Sequence, residues 1–186
     1  MGVGSEIKRK AVFLDRDGVL NKAIVKNRKP YPPSSISELE ILDGVYNGLQ
    51  LLRQSGYKLI VITNQPDVSR GITTIEIVNE INNRIIDLLN VDEIISCFHD
   101  DNDNCDCRKP KPGMILEAAK KWNIDLSFSY LIGDRWRDIQ TAKNIGLSSI
   151  LINYDYDEKK VDADFECRNF EDATNIILKK LLIQKL

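Results

Sequence analysis

Two aspartates directly after an apolar run are the first residues that could do chemistry. Asp15 and Asp17 lie in VFLDRDGVLN, where the apolar residues predict a buried strand and Gly18 predicts a turn. Ligands of open parallel sheets bind beyond the carboxyl ends of the strands, which is where these carboxylates are expected. Two carboxylates so close repel each other without a cation, and Mg²⁺ prefers oxygen ligands. Taken alone, however, Asp-x-Asp would favour a helix N-cap or a polar turn.

Three later segments supply residues that would complete such a site. KLIVITNQ ends in Thr63 and Asn64, whose hydroxyl and amide could donate hydrogen bonds to phosphate oxygens. SYLIGD ends in Asp134, a third oxygen ligand for the cation, and Asp138 would orient a ligand or cap the next helix. Lys109 could neutralise a phosphoryl group. Each residue has an ordinary structural explanation by itself, but this order of polar groups at separate strand ends should rarely arise by chance.

The only histidine and three of the four cysteines fall within one short window. These residues are Cys97, His99, Cys105 and Cys107. Each C-x-H or C-x-C pair places two ligands on one side of an extended segment, and three thiolates with one imidazole form a closed tetrahedral set for Zn²⁺. The zinc is therefore predicted to be structural, clamping residues 100–104 and fixing Arg108 and Lys109. The alternative is a group of free thiols and an unattached histidine.

The composition fits one soluble domain over residues 1–186. Hydrophobic residues make up 42% and charged residues 29%, which is ordinary for a globular protein. A net charge of -2 provides no electrostatic footprint for nucleic acid or an anionic membrane. No leader-like apolar segment and no membrane-spanning apolar run occurs, so we expect a cytoplasmic protein. Thiols stay reduced there, which makes clustered cysteines more typical of metal ligands than of disulfides.

Short apolar runs alternate with segments of helical period, which predicts an α/β fold with a mostly parallel sheet flanked by helices. The predicted strands cover residues 11–14, 58–63, 93–98, 130–132 and 149–153, with an edge strand at 162–167. The predicted helices cover residues 45–54, 73–89, 113–122, 137–145 and 170–186. Thr73 and Glu76 would form a capping box. The polar, proline-rich segment 22–37 is predicted to be a loop beside the end of the first strand, and a possible substrate loop.

The motifs DRDG, TN, KP and GD, in this order and at these strand ends, resemble those of the haloacid dehalogenase superfamily. The resemblance implies a Rossmann-like sheet and a phosphoryl-transfer site. Asp15 would be the nucleophile that forms an aspartyl phosphate, and Asp17 the general acid and then the general base. Thr63 and Lys109 would hold the phosphoryl oxygens. Mg²⁺ would bind Asp15, Asp134 and the backbone carbonyl of Asp17; dehalogenase members lack this second aspartate, which implies a phosphatase.

The four predicted zinc ligands restrict the resemblance to a smaller group of proteins within the superfamily. C-x-H, a spacer and C-x-C-R-K-P resemble the small phosphatases without a large cap that act on D-glycero-D-manno-heptose 1,7-bisphosphate and on histidinol phosphate. Asn21, the K-P-x-P-G-M motif and the triplet Ser69-Arg70-Gly71 favour the heptose branch. That branch implies removal of the C7 phosphate, leaving a heptose 1-phosphate for lipopolysaccharide or a sugar-nucleotide pathway. Arg108 would bind the rest of the substrate, including its second phosphate.

Several alternatives remain at this point. Lys111 is the alternative to Lys109 as the catalytic lysine. In the zinc-containing relatives, however, that lysine directly follows Cys-x-Cys-Arg, which is the position of Lys109. Pro66-Asp67 and the length of segment 22–37 depart from the heptose pattern near the expected substrate mouth, so histidinol phosphate or another sugar phosphate is an alternative substrate.

Interpretations other than a sugar phosphatase also stay open. Receiver-like phosphoacceptor domains, or a zinc-stabilised binding module, combine acids, a hydroxyl and a lysine in a similar way, but the phosphorylated aspartate of a receiver lies on a middle strand. A DNA-end phosphatase would need a basic groove that the charge balance does not suggest. We expect an enzyme that acts on a small sugar phosphate as a monomer with an open site.

Overall fold

The computed structural model describes residues 8–183 of the chain. These residues contain eight strands and five α-helices. The strands are β1 (Lys10–Leu14), β2 (Ile24–Lys26), β3 (Lys29–Tyr31), β4 (Tyr57–Asn64), β5 (Glu93–Cys97), β6 (Tyr130–Gly133), β7 (Ser148–Ile152) and β8 (Phe165–Cys167). The helices are α1 (Val45–Gln54), α2 (Ile75–Leu89), α3 (Gly113–Trp122), α4 (Trp136–Lys143) and α5 (Phe170–Ile183). Short 3₁₀ turns lie at Ile36–Glu38, Asp101–Asp103 and Leu126–Phe128.

Six of these strands form one parallel sheet in the order β5-β4-β1-β6-β7-β8. Leu14 of β1 lies opposite Val61 of β4 on one side and Ile132 of β6 on the other. Because the strands are parallel, the carboxyl ends of these three neighbours lie side by side at one edge. The predicted α/β fold, a mostly parallel sheet flanked by helices, is confirmed.

Each face of the sheet has its own apolar core, as the two-residue period of a strand requires. On β1, Val12 and Leu14 belong to one core and Ala11 and Phe13 to the other, and all four are fully buried. Helices α1, α2 and α5 cover the first core, and α3 and α4 cover the second. Among residues 8–183, no helix combines the length and hydrophobicity needed to cross a membrane.

The predicted strands and helices are present, and the differences lie at their ends. The edge strand expected at 162–167 forms only as β8, and the last three residues of the helix expected at 170–186 lie outside the described residues. The capping box predicted for Thr73 and Glu76 is wrong, because Thr73 is not the N-cap of the helix. Thr74 is the N-cap of α2, and its hydroxyl accepts a hydrogen bond from a backbone N–H of the first turn at 3.4 Å.

Segment 22–37 is not simply a loop, because it contains the antiparallel hairpin β2–β3 and a 3₁₀ turn. Asn27 and Arg28 form the two-residue turn, with φ of 51° and 60°, the left-handed values that such turns require. Pro30 is tolerated in this isolated ribbon because no further strand needs its missing N–H. The turn lacks glycine and the strands contain proline, so the usual sequence signals of a hairpin are missing.

Helices α1 and α5 pack closely at Gly48. A Cβ added there would lie 2.6 Å from Oγ1 of Thr174 and 2.7 Å from Cε1 of Phe170. Such overpacking costs about 1–3 kcal/mol, which should outweigh the gain of about 1 kcal/mol in helix propensity. We expect Gly48→Ala to lower the free energy of unfolding in urea. Asn47→Ala, on the exposed face of the same helix, should not; a Gly48→Ala variant more stable than wild type would contradict this packing.

Candidate active site

Residues from separate segments meet beyond the carboxyl ends of β1, β4 and β6. A cavity of about 240 Å³ opens at this edge of the sheet. Its walls include most of the sequence-predicted residues, namely Asp15, Asp17, Thr63, Asn64, Arg108, Lys109 and Asp138. Asp134 is buried beside them, since one carboxylate oxygen each from Asp15, Asp134 and Asp138 lie within 4.8 Å of one another. The structure thus brings the predicted polar side chains together at the predicted edge.

Lys109 is the buried cation of this site. Its Nζ lies 2.9 Å from Oδ1 of Asp15 and 2.6 Å from Oδ1 of Asp138, and it donates a hydrogen bond to the carbonyl oxygen of Ile62 at 3.0 Å. Burial by itself lowers the pKa of this lysine, but the carboxylates of Asp138 and Asp15 outweigh that effect and raise the pKa above its usual value. Lys109 therefore carries its charge at neutral pH.

The backbone of Lys109 is held by Asn64 at the end of β4. Nδ2 of Asn64 donates to the Lys109 carbonyl oxygen, and its Oδ1 accepts from the Lys109 backbone N, both at 3.0 Å. The amide expected to bind phosphate thus fixes the loop that carries the lysine. The rival, Lys111, is 44% exposed at its side chain and donates to Oδ1 of Asn104 at 3.0 Å. Of the two lysines, only Lys109 reaches the carboxylates.

Burial raises the pKa values of two acids in the cluster. Burial, reinforced by Asp138, raises the pKa of Asp15 to about 7, although Lys109 acts in the opposite direction. Burial and the neighbouring Asp15 raise the pKa of Asp134 well above its usual range. Asp138 also caps α4, because its Oδ2 accepts a hydrogen bond from the backbone N of Arg135 at 3.2 Å, as the sequence predicts.

Asp134 indicates where a divalent cation would fit. Both its carboxylate oxygens are buried, and within residues 8–183 neither accepts a hydrogen bond, a rare situation in folded proteins. The carboxylate presses against Gly18, where a Cβ would lie 1.9 Å from Oδ2 and where φ is +86°. Only glycine fits that position. Asp15 and Asp134 therefore offer buried oxygen ligands of the kind that Mg²⁺ binds, while Asp138 is committed to Lys109 and α4.

Three residues donate hydrogen bonds to the carboxylate of Asp17. Oδ2 accepts from Nε2 of Gln65 at 2.8 Å and from Nη2 of Arg16 at 3.0 Å, and Oδ1 accepts from Nδ2 of Asn21 at 3.0 Å. Nε2 of Gln65 also donates to Oγ1 of Thr63 at 2.9 Å. Gln65 thus ties the second acid to the predicted phosphate-binding hydroxyl.

Arg16 is fully buried behind Asp17, and its Nη1 donates to Oδ1 of Asn82 on α2 at 2.9 Å. Arg16, Gln65 and Asn82 support the candidate site through hydrogen bonds, and the sequence analysis did not name them. For two of them the sequence holds a signal, which is adjacency: Arg16 lies between the two aspartates, and Gln65 directly follows Thr63-Asn64. Asn82 has no such signal, because only the packing of α2 on the sheet brings it to Arg16.

The cysteines and the histidine of the predicted zinc site also come together. Sγ of Cys107 lies 3.1 Å from Sγ of Cys97, 3.4 Å from Sγ of Cys105 and 3.3 Å from Nδ1 of His99. All four ligand atoms lie within 4.8 Å of one another. Zn–S bonds of about 2.3 Å place tetrahedral ligands at similar mutual separations, so the residues fit a zinc ion. The cluster lies two residues before Lys109, on the same loop.

The mouth of the cavity is rich in cations. Its lining includes Lys29, Arg70, Arg108, Arg135 and Arg137. Hairpin β2–β3 contributes Lys29, Pro30 and Tyr31 to this lining, so segment 22–37 reaches the mouth. Arg28, at the tip of the hairpin, instead pairs with Asp155 at 3.0 Å.

Comparisons with known proteins give one consistent result. Residues 34–146, more than half of the chain, match the family described as haloacid dehalogenase-like hydrolase. The D-glycero-beta-D-manno-heptose-1,7-bisphosphate 7-phosphatase of Helicobacter pylori is 32% identical over 176 residues, which cover 90% of this chain and 97% of that protein. The D-glycero-alpha-D-manno-heptose-1,7-bisphosphate 7-phosphatase of Photorhabdus laumondii is 35% identical over 155 residues, 75% of this chain and 80% of that protein.

Solved structures agree with these relatives. The D,D-heptose 1,7-bisphosphate phosphatase from B. bronchiseptica, complexed with magnesium and phosphate, superposes with a TM-score of 0.79. It is 26% identical, and the match covers 92% of this chain and 99% of that one.

The raised pKa values of the buried acids predict how a cation affects stability. Below a pH of about 4, Asp15 is protonated in both the folded and unfolded states; between about 4 and about 7 the folded protein binds the extra proton, and its stability falls as the pH rises. A cation should relieve this. We expect a fixed Mg²⁺ concentration, a hundredfold above its Kd at pH 8, to stabilise the protein by about 2.7 kcal/mol at pH 8 and to raise Tm by roughly 5–10 °C. The same concentration should stabilise it clearly less at pH 5, where protons compete with the cation.

Asp134→Asn is the matched variant for this experiment. It removes a buried carboxylate without a hydrogen-bond partner in the described chain, so at pH 8 without cation it should be more stable than wild type. It should also lose most of the Mg²⁺-dependent rise in Tm. Equal Mg²⁺ effects at both pH values, or a full effect in Asp134→Asn, would exclude this cation site.

A second prediction concerns zinc. Cys107→Ser should bind less than one zinc per chain by elemental analysis, because its Sγ is a central member of the cluster, and its Tm should fall. Apparent zinc affinities of such sites correspond to roughly 10–16 kcal/mol at neutral pH, enough to order a loop. Cys167→Ser is the control, because Cys167 donates to Leu151 and Asn169 carbonyls away from the cluster. Stoichiometric zinc in Cys107→Ser would refute the assignment.

Proposed function

The chain belongs to the haloacid dehalogenase-like hydrolase family, and from that premise we propose that it removes the C7 phosphate of D-glycero-D-manno-heptose 1,7-bisphosphate. It is a phosphatase. The observation that carries the proposal is the placement of Lys109 Nζ between Asp15 and Asp138 on the cavity wall, with Asp17 beside them. A carboxylate next to a buried cation and a second acid is the arrangement that covalent phosphoryl transfer needs.

In the proposed reaction, the carboxylate of Asp15 attacks phosphorus and the ester P–O bond breaks, leaving an aspartyl phosphate. Asp17 gives a proton to the leaving alkoxide oxygen. A water then attacks the same phosphorus while Asp17 takes its proton, and the P–O bond to Asp15 breaks, releasing phosphate. The carboxylate of Asp15 is held for attack because its Oδ1 accepts hydrogen bonds from Lys109 Nζ and, at 2.7 Å, from the backbone N of Arg16.

The other residues have supporting roles in this scheme. Thr63 and Lys109 hold the phosphoryl oxygens. Asp15, Asp134 and the backbone carbonyl of Asp17 would hold Mg²⁺, which would supply the positive charge that lets a carboxylate approach a phosphate dianion. Zinc in the cysteine and histidine cluster would act on structure alone, because four protein ligands would leave no position for a water.

The relatives support a heptose bisphosphate as substrate. Proteins named heptose-1,7-bisphosphate 7-phosphatases are 32% to 35% identical over most of the chain. Their names include both the alpha and the beta anomer, so the proposal covers either anomer. Arg108, at the mouth, would contact the phosphate that remains at C1. The product would be a heptose 1-phosphate, and we propose a cytoplasmic monomer whose segment 22–37 contacts the sugar.

Turnover tests the proposal directly. Wild-type protein with Mg²⁺ should release one phosphate per heptose 1,7-bisphosphate and act more slowly on histidinol phosphate and other sugar phosphates. Asp15→Asn should abolish turnover. Lys109→Met should reduce kcat by about 10²–10³, the usual effect of removing one electrostatic contact to the transition state. Lys111→Met is the matched control and should stay within about twofold, since Lys111 contacts the surface loop.

The contrary outcomes are distinct. Loss of activity in Lys111→Met with retention in Lys109→Met would overturn the assignment of the lysine. Faster turnover of histidinol phosphate would contradict the proposed substrate but would still support the phosphatase reaction. A single phosphorylation without release would favour a phosphoacceptor.

A further inference from the structure

Two arginines at the mouth of the cavity share one carboxylate. Nε of Arg108 donates to Oδ1 of Asp101 at 2.8 Å. Nη1 and Nη2 of Arg137 donate to Oδ1 and Oδ2 of the same residue at 3.1 and 3.3 Å. Both arginines line the cavity that Lys109 and Asp138 also line. One carboxylate balances only one of the two guanidinium groups, so this pair presents excess positive charge to the cavity.

The carboxylate is the exposed member of the group. The Asp101 side chain is 52% exposed, whereas those of Arg108 and Arg137 are 10% and 24% exposed. Ion pairs with a half-exposed carboxylate are weak, and a phosphate dianion can compete for the same guanidinium groups.

Several contacts fix the position of the Arg137 side chain relative to Lys109 and Asp138. It is on α4 directly before Asp138, whose carboxylate holds Lys109 Nζ. Nη1 of Arg137 lies 3.4 Å from the Lys109 carbonyl oxygen, and its guanidinium carbon lies 4.8 Å from the centre of the Trp136 ring. A guanidinium held in this way offers a preformed fork for phosphate at a set distance from the nucleophile.

We infer that Arg137 is a specificity-determining residue that binds, together with Arg108, the phosphate that is not hydrolysed. The inference rests on the proposed function and extends it, because the sequence motifs indicate only Arg108 for this contact. Asp101 holds the two guanidinium groups in place while no phosphate is bound. The zinc loop, which carries Asp101 in the turn Asp101–Asp103, thereby takes part in substrate selection.

Steady-state kinetics on two substrates test this role. The substrates are heptose 1,7-bisphosphate and heptose 7-phosphate, which lacks the second phosphate. We expect Arg137→Gln to raise KM for the bisphosphate about tenfold, the value of one charged hydrogen-bond contact. Its kcat on the bisphosphate and both constants on the monophosphate should stay within about twofold. Arg137→Lys should be intermediate, since it keeps the charge and loses the fork.

A matched control and the contrary results complete the design. Arg168→Gln removes an arginine with an 87% exposed side chain, paired with Asp172 outside the cavity, and should change neither KM. If Arg137→Gln raises KM equally for both substrates, or for neither, the inference is overturned while the phosphatase stands. If wild type has the same KM for both substrates, no second-phosphate site exists and the inference is overturned as well. If wild type releases phosphate from neither ester, the proposed function itself has failed.

Discussion

The contact of Lys109 with Asp15 and Asp138 is the interaction on which the rest of the site depends. Three acids have oxygens within 4.8 Å of one another, in a place where burial raises the pKa of Asp15 and Asp134. One lysine cannot balance them, and neither oxygen of Asp134 accepts a hydrogen bond of normal geometry from residues 8–183. The fold therefore places more carboxyl groups in the cluster than its one lysine can neutralise. The proposed Mg²⁺ would supply the missing positive charge. A phosphate could then enter an arrangement that otherwise repels anions.

The lysine lies on a loop between β5 and α3, so its position depends on restraints from outside regular structure. Asn64 fixes its backbone from β4 with two hydrogen bonds. The cysteine and histidine cluster restrains the preceding residues, and Asp138 on α4 holds the Lys109 ammonium group. A loop has few apolar contacts to order it, so these polar contacts fix the position of Lys109. For Asp15, the buried strand β1 fixes the position. Zinc would thus act on catalysis only through geometry.

Local patterns were sufficient to predict the residues that lie on or next to strands. Asp15, Thr63 and Asp134 follow apolar runs, and parallel strands must bring such positions to one edge. Asn82 and Arg137 could not be found in this way, because their contacts depend on how α2 and α4 pack on the sheet. Hairpin β2–β3 was missed for a related reason: proline and a turn without glycine contradict local propensity, which an isolated ribbon at the mouth tolerates.

In the proposed function, the site divides into a buried part that would set the reaction and an exposed part that would select the substrate. Lys109 and the acids around it are almost completely buried, so changing one leaves another charge without a partner and should stop catalysis. The mouth is made of a hairpin, the zinc loop and the segment at Pro66-Asp67, whose ion pairs face water and contribute little to stability. Substitutions there can change the sugar that is accepted at small cost to the fold. The departures of this chain from the heptose pattern lie in that exposed part, which is why they bear on specificity and leave the phosphoryl-transfer residues in place.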